Sequence, residues 1–178
     1  MFKAIISLFL WPIWFLYLLI ILPVFLIFIL IVNKKYFHYF LRPMSYFCCL
    51  LGGQLIKQTG IIPDPKDGPY LYLINHQSLF DHFVIGTYIN HYVTAVAKHE
   101  HLSYPLWGQV AKFYGIVPIN RTNIKKALSS LKVVEDSIVN YKASVLIAPE
   151  GTRTRNGHLG VFKKGAFHIA KNTGVKII

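Results

Sequence analysis

The sequence predicts an α/β domain carrying an N-terminal hydrophobic membrane-anchoring helical segment. Three observations predict it. Residues 4–32 contain no charged side chain. From residue 70 onward, short apolar runs alternate with longer amphipathic ones, the signature of strands interleaved with helices. A turn-rich stretch, residues 60–69 (GIIPDPKDGP), separates the two regions. At 178 residues the chain is long enough for one core plus an anchor. The expected division is a membrane-anchoring helical segment over 1–58 and an α/β domain over 59–178, its mixed sheet flanked by helices.

The anchor comes first in the chain. A helix over residues 4–32 would be roughly 43 Å long, against a hydrocarbon core of about 30 Å, so it exceeds what a straight span needs. A cleaved signal peptide has an apolar region of about 7–15 residues ending in a small-residue site. Here Asn33-Lys34-Lys35 follows instead, which predicts an uncleaved anchor. Pro12 and Pro23 each remove a backbone donor, leaving open a kinked, tilted span or a re-entrant hairpin. Residues 36–58 mix aromatics with His38, Arg42 and Lys57 and predict a second helical segment along the headgroups, the two forming a membrane foot. Lys34, Lys35, Arg42 and the basic domain beyond place that domain on the cytoplasmic face by the positive-inside tendency. The adjacent Cys48 and Cys49 have neither disulfide nor metal spacing and read as small apolar residues of a membrane-facing helix.

In the second region, strands are predicted at 70–74, 93–97, 115–119, 144–148 and 175–178. Between the third and fourth, Ile124, Leu128, Leu131, Val134, Ile138 and Tyr141 recur every three or four residues, predicting a helix with one apolar face and Thr122 or Asn123 as its N-cap. A shorter helix is expected over 163–172, closed by Gly174.

Composition narrows the partner. A mean hydropathy of +0.44 is too apolar for an ordinary soluble domain. The 19 Lys and Arg against 7 Asp and Glu, a formal charge of +12, call for an anionic partner. Beside an apolar anchor, membrane lipids fit. A nucleic acid does not, because the basic residues are dispersed and the aromatics concentrate in the foot.

Two segments carry chemistry. Residues 75–81, Asn-His-Gln-Ser-Leu-Phe-Asp, follow the first strand. With a turn between them, Asp81 can fix the tautomer of His76 and leave its other nitrogen to take a proton from a substrate hydroxyl, while Ser78 caps the following helix. By itself this spacing is weak evidence, since chance supplies about 0.2 such His/Asp pairs in a chain of this composition. Residues 149–153, Pro-Glu-Gly-Thr-Arg, follow the fourth strand and carry more weight, the Glu-Gly-Thr-Arg core having a chance occurrence on the order of 0.001. Its glycine admits close backbone approach and Arg153 offers a bidentate fork to a phosphate. Arg121 after the third strand and Lys98 after the second leave the same sheet edge, so three cations can converge on one anion.

With these segments in this order, the chain resembles the glycerolipid acyltransferases, the lysophosphatidic acid and glycerol-3-phosphate acyltransferases. The resemblance rests on Asn75, His76 and Asp81, on Gly115, Ile119 and Arg121, and on Pro149 to Arg153. It implies His76 as general base with Asp81 orienting it. It further implies acceptor binding by Arg121, Glu150, Gly151, Thr152 and Arg153, and the same substrate-binding set takes in Asn75, Gly115 and Ile119 of the matched motifs and, from its place at the sheet edge, Lys98. No metal and no resident cofactor are implied. The co-substrate is an acyl thioester, acyl-CoA or acyl carrier protein, and the acceptor is lysophosphatidic acid, giving phosphatidic acid. The alternatives are a glycerol-3-phosphate or other lysophospholipid acceptor, or a non-catalytic protein that binds anionic lipid. Family members carry a later proline-containing strand, and Val175-Lys-Ile-Ile178 lies where it would begin, so the domain is expected to be C-terminally incomplete.

Overall fold

In the computed structural model, which describes residues 2–120, 122–154 and 156–178, the chain forms two compact units. One comprises the residues up to Ile62 together with Leu79–His91, the other Pro63–Ser78 with Tyr92–Ile178.

The first unit is helical. Helix α1, Phe2–Ile31, runs through Pro12 and Pro23 as one element, so the re-entrant hairpin is not formed. Of it, Ile6–Ile31 is long and apolar enough to cross a membrane by length and composition. Among the described side chains of α1, only Leu22, Phe25 and Ile29 are buried, at the three- and four-residue spacing of a single helix face. The rest of the surface stays apolar yet outward, with Leu8 72% and Ile31 78% exposed. The helix is thus apolar all round and buried on one stripe.

Helix α2, Phe37–Leu51, is shorter than the segment expected over 36–58, because the chain turns at Gly52 and Gly53. It buries Phe37, Met44, Ser45, Cys48 and Cys49, again one helical stripe. Cys48 and Cys49 thus face inward, contrary to the membrane-facing expectation. Helix α3, Asp81–Tyr88, completes the unit: Gly86 lies against Ser45, and the Arg42 Nε donates to the Thr87 carbonyl at 3.2 Å. Phe80, not Ser78, holds the N-cap position of α3, with no side-chain cap bond.

The second unit contains a five-stranded sheet: β1 Tyr70–Leu73, β2 Val93–Lys98, β3 Val117–Ile119, β4 Ser144–Ile147 and β5 Lys176–Ile177, in the order β3-β2-β4-β1-β5. All five expected strands are present and flanked by helices. Every pairing among the described residues is parallel, so the sheet is not mixed. Parallel strands need helical crossovers, and those are what bury them. Helix α4, Trp107–Tyr114, was not anticipated. It ends at Gly115, whose φ of +99° places it in the left-handed region, so this glycine stops a helix instead of starting a strand.

Helix α5, Ile124–Tyr141, is capped by the Asn123 side chain, which accepts from the Lys126 N–H at 3.0 Å. Its buried stripe is narrower than the sequence suggests. Val134 and Ile138 are in the core and Leu131 packs against it, while Leu128 and Tyr141 are exposed. Helix α6, Gly165–Thr173, closes on left-handed Gly174 as expected. Leu71 and Val145 of the central strands pack with Val134, Ile138, Ala166 and Ile169 into one core.

Candidate active site

Because the sheet is parallel, the loops that follow β1, β2, β3 and β4 all leave one edge, where open α/β sheets collect ligands. β1 and β4 are neighbours, with Leu73 opposite Ile147, so the two segments singled out in the sequence start side by side. The Ile74 N–H still donates to the Ile147 carbonyl at 3.1 Å, extending the pairing to the threshold of both loops.

Beyond that point the His76 main chain is held on both sides. Its N–H donates to the Glu150 Oε1 at 2.9 Å, and its carbonyl accepts from the Thr154 N–H at 2.9 Å. The second Glu150 oxygen, Oε2, accepts from the Gly160 N–H at 2.7 Å. This carboxylate is only 6% exposed, and a buried charge of that kind persists when hydrogen bonds replace its lost water. Glu150, expected at the acceptor, is therefore placed as a tether for the loop that carries the imidazole. Gly151, at φ +71°, has the Lys163 ammonium against it: a Cβ there would lie 2.9 Å from Nζ. The Lys163 N–H donates to the Pro149 carbonyl at 2.8 Å, so residues 160–163 fold back onto this turn.

The remaining expected residues fall as follows. Asn75 is exposed and His76 half-buried. Thr152 and Arg153 are exposed, the Thr152 hydroxyl donating to the Arg153 carbonyl at 3.1 Å. Lys98 ends β2 beside Ile119 of β3 and forms an ion pair with Glu100 at 3.1 Å. The carboxyl of Glu100 is held below its ordinary value first by its own backbone N–H and then by Lys98. The carbonyl of Gly115 accepts from the Thr94 hydroxyl at 2.6 Å, which ties the end of α4 to β2. Arg121 lies outside the described residues. Asp81 opens α3 in the first unit, half-buried.

Sequence reasoning did not single out Thr154, Gly160 or Lys163. Their contacts are made by loop backbone and by a lysine that no periodicity marks. The one available signal was charge: from Gly151 to Ile178 the chain has six Lys and Arg and no Asp or Glu.

The fold and these two loops define an α/β protein in which the segments around His76 and Glu150 meet at the carboxyl edge of a parallel sheet. The particular family follows from comparison with known proteins. The family model described as Acyltransferase matches residues 55–178, and the chain belongs to that family. Among curated proteins it is similar to the 1-acyl-sn-glycerol-3-phosphate acyltransferase of Cocos nucifera, 40% identical over 108 residues, covering 61% of this chain and 35% of that one. It is also similar to the 1-acyl-sn-glycerol-3-phosphate acyltransferase alpha of Ovis aries, 30% identical over 138 residues, covering 78% and 48%. The Salmonella typhimurium protein of the same name is 35% identical over 111 residues, covering 62% and 45%. The chain thus spans less than half the length of these relatives. The crystal structure of the 1-acyl-sn-glycerophosphate (LPA) acyltransferase PlsC from Thermotoga maritima shares the fold. Its TM-score is 0.76 at 21% identity, covering 98% of this chain and 71% of that one.

Proposed function

We propose that this protein transfers an acyl group from an acyl thioester, on coenzyme A or acyl carrier protein, to the free hydroxyl of 1-acyl-glycerol-3-phosphate, yielding phosphatidic acid. The observation that carries the reading is the clamp on His76, whose N–H and carbonyl are both bonded to residues 150–154. An imidazole on a loop fixed at its own residue is held for proton transfer, and the fixing segment is the Glu-Gly-Thr-Arg run that also offers Arg153 to a phosphate. The names of the curated relatives support the same acceptor.

In the reaction, the imidazole of His76 takes the proton of the acceptor hydroxyl as its oxygen attacks the thioester carbonyl. The carbon–sulfur bond then breaks, an oxygen ester remains, and the imidazolium returns its proton to the leaving thiolate. Asp81 orients the ring. Arg153, Arg121 and Lys98 hold the phosphate, so that positioning of the hydroxyl contributes to the rate as much as proton transfer does. The thioester is a co-substrate, and the reaction draws on no resident cofactor.

The outward apolar surface of α1 supports a membrane location for the protein. Lys34 and Lys35 at its end favour the cytoplasmic face for the sheet unit. The test is acceptor profiling of the full-length protein in membranes, with labelled acyl-CoA and acyl carrier protein offered to lysophosphatidic acid, glycerol-3-phosphate and lysophosphatidylcholine. Label in phosphatidic acid from lysophosphatidic acid alone is the expected result. Preference for another acceptor, or liposome binding without transfer to any, overturns the reading.

A further inference from the structure

Phe80 is the residue directly before Asp81, and it is far more enclosed than a loop position requires. Its ring is 9% exposed. It lies 5.5 Å from the Trp14 ring, 6.4 Å from Trp11 and 6.1 Å from Phe83, all within the helical unit. On its remaining side it rests on the backbone at the end of α2: a Cβ on Gly52 would sit 2.5 Å from the Phe80 Cε1 and Cζ, closer than any real contact. Glycine there leaves room for the ring.

Trp14 is itself fixed. Its Nε1 donates to the Cys48 carbonyl at 3.0 Å, and one turn further along α1 the Tyr17 hydroxyl donates to the Met44 carbonyl at 3.1 Å. Tyrosine and tryptophan bury a large apolar body only when the polar tip finds a partner, and here both tips grip the same helix. Phe80 holds the N-cap position of α3, and its side chain makes no cap hydrogen bond. What it contributes to the start of the helix is the packing of its ring.

From this geometry we infer that Trp14, Gly52 and Phe80 form a positioning clamp by which the anchor helices fix the first turn of α3 and so the carboxylate of Asp81. The anchor is then part of the catalytic apparatus as well as an attachment to lipid. The inference rests on the proposed role of Asp81. The three residues act through Asp81 and set kcat without contributing to acceptor binding.

The experiment is a double-mutant cycle in the full-length protein assayed in liposomes, comparing Trp14→Ala, Asp81→Asn and the pair, with Trp14→Phe as the conservative variant and Leu19→Ala, on the exposed face of α1, as control. Trp14→Ala should lower kcat by roughly ten-fold or more while the acceptor KM stays within about two-fold. Trp14→Phe should restore most of the loss, and Leu19→Ala should match the wild type. In the Asp81→Asn background, Trp14→Ala should cost nothing further, because the group it positions is already disabled. An equal loss in both backgrounds, or a loss confined to KM, overturns the clamp. Full activity of Asp81→Asn alone overturns the role of Asp81, and the clamp with it. If Trp14→Ala does not accumulate in membranes, Gly52→Ala enters the same cycle, since its added methyl displaces the Phe80 ring without removing a bond.

Discussion

The two units use apolar residues in opposite ways. In the sheet unit, Leu71, Val134, Val145 and Ile169 are fully buried, and most polar residues lie outside them, Thr94, Ser144 and Glu150 excepted. In the helical unit, most of α1 turns its leucines, isoleucines and phenylalanines outward. One region removes apolar surface from water within the chain, while the other leaves it outward on a helix long and apolar enough to cross a membrane. A substitution should therefore be felt in the fold in one unit and, under the proposed membrane location, in membrane retention in the other.

The same charge placed in each unit should separate them most sharply. Val134→Asp buries an unpaired carboxylate in the sheet core and should unfold that unit, a loss above about 4 kcal/mol, seen as collapse of the circular dichroism signal and of protease resistance. Leu19→Asp, at a position 66% exposed, should leave both folds intact and instead weaken membrane retention by roughly 2.5–3.5 kcal/mol, read by carbonate extraction. Equal loss of fold from both would erase the distinction. Next in size, Glu150→Gln removes the charge and sets an amide N–H against one of two backbone donors. It should cost roughly 1–3 kcal/mol by urea denaturation and lower kcat as the His76 loop slackens. Unchanged stability and turnover would show that the tether is dispensable.

The smallest effect is one of alkaline pH. Burial, with a lesser contribution from Tyr70, pushes the Tyr72 phenol from 10.0 up to about 12. The folded state then keeps a proton that the unfolded state releases, so the stability from this group is fully present below pH 10.0 and is lost as pH rises toward about 12. Tyr72→Phe should flatten the fall of urea midpoint across that window, and an identical slope in the variant would deny the shift.

Much of this architecture is legible in the sequence, for definite reasons. A charge-free run of 29 residues admits few readings, and the five strands are each a short apolar run bounded by turn residues. The Asn123 cap and the Gly174 stop are local chemistry, visible one residue at a time. Helix α4 is not, because eight residues with Gly108 inside give too little periodicity, and Gly115 before an apolar run reads equally as a helix end or a strand start. Nor is the grouping of α3 with the anchor helices, which depends on the Phe80 ring and on Gly86 meeting Ser45. In the candidate site, the sequence put His76 and Glu150 in the loops after the first and fourth strands but gave no sign that the Glu150 carboxylate bonds the His76 main chain. The adjacency of β1 and β4, unavailable from sequence, makes it a ligand of the His76 backbone. Hydrogen bonds between loops leave no period to detect.

The central claim is that His76, held by the segment after β4, is the base for acyl transfer. Its most direct test is the transfer assay with purified full-length protein in liposomes, lysophosphatidic acid and labelled acyl thioester, wild type against His76→Ala. The account predicts that phosphatidic acid formation and thiol release fall together by about 10²–10⁴-fold in the variant while vesicle binding is retained. Turnover by His76→Ala within a few-fold of the wild type would contradict it.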